Sequence, residues 1–396
     1  MEKHPVKVCM ISCLHGLYDD RIYWKEALSL KKHGYDVTHI GISEVEFDII
    51  TEHGIRLISI QRTRYFSNPY LDFLYKKLTF KANIYKRIFK TAKELNSDIY
   101  HFHDYQINRI VKQLKKLAHK PKVIYDAHEP YPEIERYLNH SKGLFKLIHI
   151  LHSVYIDLLQ KRYSGKLDAI ITTEENVASY FKGFFTAEKV KIIYNYCDFD
   201  ISTSADLEQK EFDLIYIGGI SRWRGVFELL NTALEASKTN HPIKILLIGQ
   251  IKEAGLKDTL LQIIQSENLH DWFTLKEFVP RNELIQYLTK SKIGVCIFKD
   301  NPVYHILLPI KIFEYMAFGL PTLVNNFGHT FRIISAENAG IAIDKPTPSN
   351  ILKETLKILE DPGLYKTFSE NAKNSVAKYT WDKMEKELWD LYLKLG

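Results

Sequence analysis

The chain has 396 residues, room for two domains at about 150 residues each. Its 45% apolar and 26% charged residues exclude disordered, collagenous and coiled-coil classes. The net charge of +6 is uneven. Residues 1–200 hold 31 Lys and Arg against 24 Asp and Glu, and the remainder 23 against 24. Four scattered cysteines (Cys9, Cys13, Cys197, Cys296) give no disulfide framework and no zinc spacing, so free buried thiols in a reducing compartment are expected.

The start, MEKHPVKVCMISC, runs straight into a strand-like segment without a signal-peptide layout, and no 18-residue apolar run is present. The longest apolar candidate, Leu147 to Ile156, spans ten residues and contains two histidines. A soluble, cytoplasmic chain is expected. Short β-branched runs then alternate with amphipathic stretches. Strands are predicted at Val6–Ser12, Val37–Ile42, Ile55–Ile60, Asp98–Phe102, Lys122–Tyr125, Ala169–Thr172 and Lys191–Tyr194, with helices such as Arg21–Lys32 and Ile107–Leu117 between them. Arg62–Lys93 carries nine basic residues against no more than two acidic ones, interleaved with aromatics. That mixture suits either an anionic membrane surface or an ordinary solvated helix. No nucleic-acid-binding module accompanies it.

The polar stretch DFDISTSADLEQK (198–210) reads as a linker after a first domain of 1–197. A second strand series follows: Phe212–Ile217, Ile243–Ile248, Phe273–Lys276, Ile293–Phe298, Thr322–Val324 and Gly340–Ile343. Two doubly wound α/β domains with parallel sheets are therefore expected, the second over 211–380. The last helix, 381–396, carries two Trp and a Tyr and needs a surface to bury them, for which the first domain is the candidate.

Open α/β sheets bind ligands beyond the carboxyl ends of their strands. After the first strand come His15, Gly16, Asp20 and Arg21. Gly16 would let the backbone approach a ligand, and Asp20 is alternatively only a helix cap. No G-x-G-x-x-G and no Walker lysine occurs. HFHD brings His103 and Asp104, and YDAHE brings His128 and Glu129, groups suited to orienting hydroxyls and moving protons. Zinc is the rival use of such residues, but no H-E-x-x-H helix supports it. In the second domain, Gly218-Gly219-Ile220-Ser221-Arg222-Trp223-Arg224 opens a helix as a candidate phosphate cradle. A short helix is predicted in Leu308–Pro321, with Pro309 in its first turn. Amides around Pro309, Ile310 and Lys311 could meet a second phosphate oxygen, and Glu314 could accept from a ribose.

With DDRIYWKEALSLKKHGYDV, HFHD, YDAHE, VKIIYN, YIGGISRWRGVFELL and PIKIFEYMAFGLPTLV in this order, the chain resembles the retaining glycosyltransferases of family four. The likeness covers essentially all 396 residues and is nearest to members that build bacterial surface polysaccharides. It implies the GT-B fold of two facing Rossmann-like domains. It implies that Gly16 faces the donor diphosphate, that His128 lies near the transferring sugar and acceptor, that Arg224 clamps the diphosphate, that Glu314 binds the ribose and that the backbone near Val279 meets the base. His15, Asp20, Arg21, His103, Asp104 and Glu129 become the acceptor-side candidates.

Three positions depart from the family pattern. Gly219 stands where an arginine is frequent, leaving Arg222 as its candidate replacement; Ile306 stands at the first of the paired glutamates, with His305 beside it; and Arg332 replaces a downstream glutamate. The resemblance implies transfer of a sugar from a nucleoside diphosphate, UDP favoured, to a hydroxyl of a glycan or lipid-linked glycan. Cofactor and metal are expected to be absent, and attachment to the inner face of the plasma membrane through 62–93 is a further expectation. The rival readings are a sugar-nucleotide epimerase or hydrolase, and an inactive partner of an active transferase.

Overall fold

The computed structural model describes residues 4–62, 64–68, 71, 72, 75, 84–138, 143–199 and 210–395. Most of the predicted linker, and Lys76 and Lys77 of the basic stretch, lie outside the described residues. The chain divides into two units, Met1–Asn195 with Trp381–Gly396, and Tyr196–Thr380.

The first unit is built on eight strands: β1 (Lys7–Ile11), β2 (Asp36–Ser43), β3 (Phe47–Ile50), β4 (Arg56–Gln61), β5 (Ile99–Phe102), β6 (Lys122–Ala127), β7 (Ala169–Thr172) and β8 (Val190–Ile192). Their order is β3-β4-β2-β1-β5-β6-β7-β8. β5 and β7 are buried along their whole length, as central parallel strands covered on both faces must be. One strand escaped the sequence reading. β3 pairs antiparallel with β4 at the edge, with Ile49 and Ile50 exposed, so its residues carry little of the apolar signal of an inner strand. The chain leaves β1 toward β2 on one side and returns through β5 on the other, which opens a crevice at the carboxyl ends of β1 and β5.

The final helix, Trp381–Leu395, packs on this unit. Trp381, Leu388, Leu391 and Tyr392 join the core of Val8, Met10, Ile22, Tyr23 and Ile124. Trp381 Nε1 donates to Ser29 Oγ at 3.0 Å, and Tyr392 Oη lies 2.9 Å from His101 Nδ1. The amphipathic last helix thus buries its aromatic stripe and supplies a polar contact to the strand-end region.

The second unit holds β9 (Phe212–Ile217), β10 (Ile245–Ile248), β11 (Phe273–Lys276), β12 (Ser291–Cys296), β13 (Thr322–Asn325) and β14 (Gly340–Ile343). All pair parallel in the order β11-β10-β9-β12-β13-β14, with the reversal between β9 and β12. Leu214, Tyr216, Leu247, Val295 and Leu323 form its core with helix residues Leu229, Leu230 and Ile351. All four cysteines are free. Among the described residues no helix is long and apolar enough to cross a membrane.

Truncating a fully buried leucine of this size costs about 3 kcal/mol. Leu388→Ala is therefore expected to lower the stability of the first unit by that amount in urea denaturation; a loss below about 0.5 kcal/mol would mean that the last helix is dispensable.

Candidate active-site residues

The first unit gathers a buried polar cluster at the ends of β1, β5 and β6. Its origin is local. Asp19 caps the helical segment Asp20–Ala27, its Oδ1 accepting from the amides of Arg21 and Ile22 at 3.0 and 3.1 Å. The cap is therefore Asp19, not Asp20. The segment is a π-helix, whose i→i+5 hydrogen bonds bring residues five apart together. Two ion pairs use that register: Asp20 with Lys25 at 2.6 Å, and Arg21 with Glu26 at 3.0 Å. Lys25 also donates to Asn195 Oδ1 at 2.9 Å.

Arg21 is only 3% exposed. Its Nε donates to Asp126 Oδ2 at 2.8 Å and its Nη1 to the Ile193 carbonyl at 3.0 Å. His103 Nδ1 lies 3.6 Å from Asp126 Oδ2 and 3.8 Å from Glu26 Oε2, and His101 Nε2 lies 3.9 Å from the same Glu26 oxygen. Burial alone would raise the Asp126 carboxyl. The Arg21 charge, with the His103 and His128 rings 3.6 and 3.8 Å away, overrides burial and holds it well below the usual range. Burial wins at Glu26, whose carboxyl is pushed well above its ordinary value, and burial together with His103 keeps His101 neutral.

Beside this lies a second chain of contacts. Asp104 accepts from the amides of Cys13 and Leu14, from Tyr131 Oη at 3.0 Å and from His15 Nδ1 at 2.9 Å. The carboxylate of β5's end thereby fixes the loop that follows β1. His15 Nε2 in turn meets His128 Nε2 at 3.1 Å, so one proton is shared between two rings. Burial opposes a charge on His15, but the Asp104 hydrogen bond and charge push it up to about 9. Asp104 is correspondingly held far below the carboxylate range despite its burial.

Glu26, His101, His103 and Asp126 offer four ligand atoms within 4.8 Å of one another, the arrangement a metal would need. The Arg21 guanidinium already contacts both carboxylates there and would repel a cation. The donor set fits an arginine-neutralised cluster.

In the second unit, Gly218 and Gly219 follow β9 at the sheet's reversal point. Gly218 has φ +111°, and a side chain at Gly249 would strike its carbonyl, so both positions require glycine. The short helix is Lys311–Ala317, with Pro309 just ahead of it rather than in its first turn. Tyr315 Oη accepts from the Ile217 amide at 3.0 Å and donates to the Val295 carbonyl at 3.2 Å, pinning this helix to β9 and β12. A Cβ on Gly218 would lie 3.4 Å from Lys311 Nζ, and one on Gly219 3.3 Å from Arg224 Nη1. Two cations therefore converge on one stretch of backbone. Lys311 Nζ is buried, lacks a hydrogen-bond partner among the described residues and sits 3.5 Å over the Tyr216 ring.

Arg222 does not join them. Its Nε is 2.5 Å from Glu253 Oε1, and its guanidinium stacks over Phe227. The second cation near this turn is instead the Lys311 side chain, beside Gly218. Glu314, three residues on, shares a helix face with Lys311. Val279 is half-buried in the loop after β11. Ile306 ends the helix Pro302–Ile306, and His305 beside it is held by Asp300 at 2.7 Å and stacked on Phe327.

Residues 179–375 match the family model described as glycosyl transferases group 1, and residues 23–200 the one described as glycosyltransferase family 4. The chain belongs to the family-four glycosyltransferases, with the GT-B fold. The alpha-monoglucosyldiacylglycerol synthase of Acholeplasma laidlawii is 19% identical over 332 residues, 78% of each chain. The sucrose-phosphate synthase of Thermosynechococcus elongatus has the same fold, with a TM-score of 0.72 at 15% identity over 98% of this chain and 99% of that one. Anabaena HepE, solved with UDP and glucose, gives 0.70 at 14% over 98% and 100%.

In this transferase the sequence-predicted residues fall into three groups. Arg224, Lys311, Gly218 and Gly219 meet in the second unit, where Glu314 shares a helix with Lys311. His15 and His128 touch in the first unit, with Glu129 next along the chain. Gly16 is exposed, and a Cβ there would meet nothing, so the folded protein itself does not demand glycine. Arg21, His103 and Asp104 are 0–3% exposed, which places them behind His15 and His128 rather than on the surface an acceptor would touch. Asp20 is exposed and paired with Lys25. Glu26 was not singled out from the sequence, and His101 only as part of the HFHD strand end. Only the π-helical register makes Glu26 a neighbour of Arg21.

The His15–Asp104 pair predicts a pH dependence. His15 titrates higher in the folded state than its ordinary 6.5, so its contribution is complete below about pH 6.5 and is lost as pH rises through about 9. Asp104→Asn is expected to cost about 2 kcal/mol at pH 6, and less above pH 9. Equal losses in urea denaturation at both pH values would show that the pair is not charged.

Proposed function

We propose that this transferase moves a sugar from a UDP-sugar to a hydroxyl of a glycan or lipid-linked glycan, with retention at the anomeric carbon, in the building of a surface polysaccharide. One observation carries the donor assignment: the buried, unpartnered Lys311 ammonium beside Arg224 on the Gly218–Gly219 backbone. Burying a charge without an acceptor costs several kcal/mol, of which a cation–π contact returns about 1–2. A diphosphate supplies the missing acceptor. HepE, of the same fold, is also solved with UDP-glucose, which favours a uridine donor.

The diphosphate would sit against Arg224 and Lys311, Glu314 would accept from the ribose hydroxyls, and the Val279 backbone would meet the base. The bond from the anomeric carbon to the β-phosphate oxygen breaks while that carbon bonds to the acceptor oxygen on the same face. The acceptor proton passes to the departing phosphate. Arg224 and Lys311 stabilise the charge that develops there, the task a divalent cation performs in other phosphate sites. His128, its Nε2 tied to His15, would orient sugar or acceptor rather than act as a free base. The Acholeplasma relative is named for a glucosylated diacylglycerol, which supports an acceptor presented in a membrane. On this reading the enzyme works peripherally on the inner leaflet.

A thermal-shift series with UDP, GDP, ADP and CMP tests the donor site. UDP at 100 times its dissociation constant is expected to stabilise the protein by about 2.7 kcal/mol, and no response to any nucleotide would overturn the assignment. Glu314→Ala is expected to weaken UDP binding by about tenfold, the loss of one charged hydrogen bond; unchanged affinity by titration would remove Glu314 from the site. Retention is read from product NMR: a UDP-α-sugar should give an α-glycoside, and a β-product would exclude it.

A further inference from the structure

The helix Leu144–Ser164 of the first unit carries an apolar stripe on its outer side. Leu144, Leu147, Leu151, Val154 and Leu158 are 42–70% exposed. At 100° per residue the five fall within an arc of about 80°. The inner side is accounted for: His152, Ser153, Ile156, Leu159 and Gln160 are buried. The exposed area is on the order of 500 Å², a contiguous patch of the size that marks an interaction site on a monomer.

The charges along this helix indicate what covers the stripe. Its cations, Lys146, Lys161 and Arg162, are all exposed. Its one acid, Asp157, is turned to Lys161 at 2.9 Å and to Tyr180 Oη at 2.7 Å. A second copy packed on the stripe would set cations against cations with no acid to meet them. The stripe also falls short of the roughly 800 Å² that each partner gives to a standard protein interface. A lipid surface has neither requirement. It accepts one helix lying flat, apolar side down, and anionic headgroups complement the helix's excess of cations over its one acid.

The basic stretch 62–93 serves this purpose less well. Arg62 and Arg64 lie 3.5 and 2.9 Å from Glu44, and Arg87 lies 2.5 Å from Glu46. Its charge is partly met within the protein, and it presents no comparable stripe among the described residues.

We infer that the helix Leu144–Ser164 docks the protein on an anionic lipid bilayer through Leu144, Leu147, Leu151, Val154 and Leu158, with Lys146, Lys161 and Arg162 meeting the headgroups. The inference deepens the proposed function, whose membrane-borne acceptor it rests on, by naming the docking surface.

The test is sedimentation of the full-length protein with vesicles of equal parts phosphatidylcholine and phosphatidylglycerol, and with phosphatidylcholine alone. The wild type should sediment with the mixed vesicles and much less with the neutral ones. The triple variant Leu147→Glu, Leu151→Glu, Leu158→Glu should bind the mixed vesicles at least about tenfold more weakly. All three side chains face outward, and the UDP-induced thermal shift, expected to be unchanged, verifies the fold of the variant. That shift also separates the two readings, since loss of vesicle binding with UDP stabilisation intact speaks only to docking. Undiminished vesicle binding by the triple variant, absence of binding by the wild type, or equal binding to both kinds of vesicle overturns the inference. So does a wild-type dimer that the triple variant converts to monomers without loss of vesicle binding, because a second copy would then cover the stripe.

Discussion

The Lys311 ammonium lies over the Tyr216 ring with nothing among the described residues to accept its hydrogen bonds, and much of the second unit's local geometry keeps it there. Gly218 and Gly249 let the ends of β9 and β10 approach closely. Gly294 leaves room for the Tyr315 ring, whose hydroxyl holds the helix of Lys311 against β9 and β12. The Tyr216 hydroxyl donates to the Gly219 carbonyl at 2.7 Å and fixes the turn on which Arg224 rests. A cation preorganised in this way costs stability in the free protein, a cost that the proposed diphosphate would recover on binding.

The first unit solves the opposite problem, many polar groups packed into an apolar sheet end without a ligand. Arg21 balances Asp126 and also contacts Glu26, His15 and Asp104 balance each other, and burial disfavours a charge on Glu26, His101 and His103. Cations set directly against carboxylates allow the cluster to exist inside a core that would otherwise reject it. Its outermost members are His15 and His128. The cluster thus acts as a rigid mount for two imidazoles, with Asp104 fixing His15 from behind and His15 meeting His128.

Much of this was legible in the sequence because parallel sheets place ligands at strand ends, and strand ends are readable from β-branched runs. HFHD, YDAHE and GGISRWRG were found in that way. What escaped depends on register and side-chain direction. Glu26 sits about 140° from Arg21 on an ideal α-helical wheel, and only the π-helix joins them. Near Pro309–Lys311 the sequence pointed to backbone amides, whereas the structure presents the Lys311 side chain. Arg222 and Arg224 are equivalent in the sequence; Glu253, 31 residues away, takes up one of them. The edge strand β3 was missed because it pairs on one side only.

Recognition of a diphosphate by Arg224 and Lys311 is the central proposal. Titration calorimetry with UDP and with uridine tests it most directly, since the two ligands differ only in the group those cations would hold. UDP should bind the wild type about 100-fold more tightly than uridine, as expected of two charge-assisted contacts. In the Arg224→Met, Lys311→Met double variant that difference should vanish while uridine binding persists. Equal affinities for the two ligands in the wild type, or a double variant that still prefers UDP, would contradict the account.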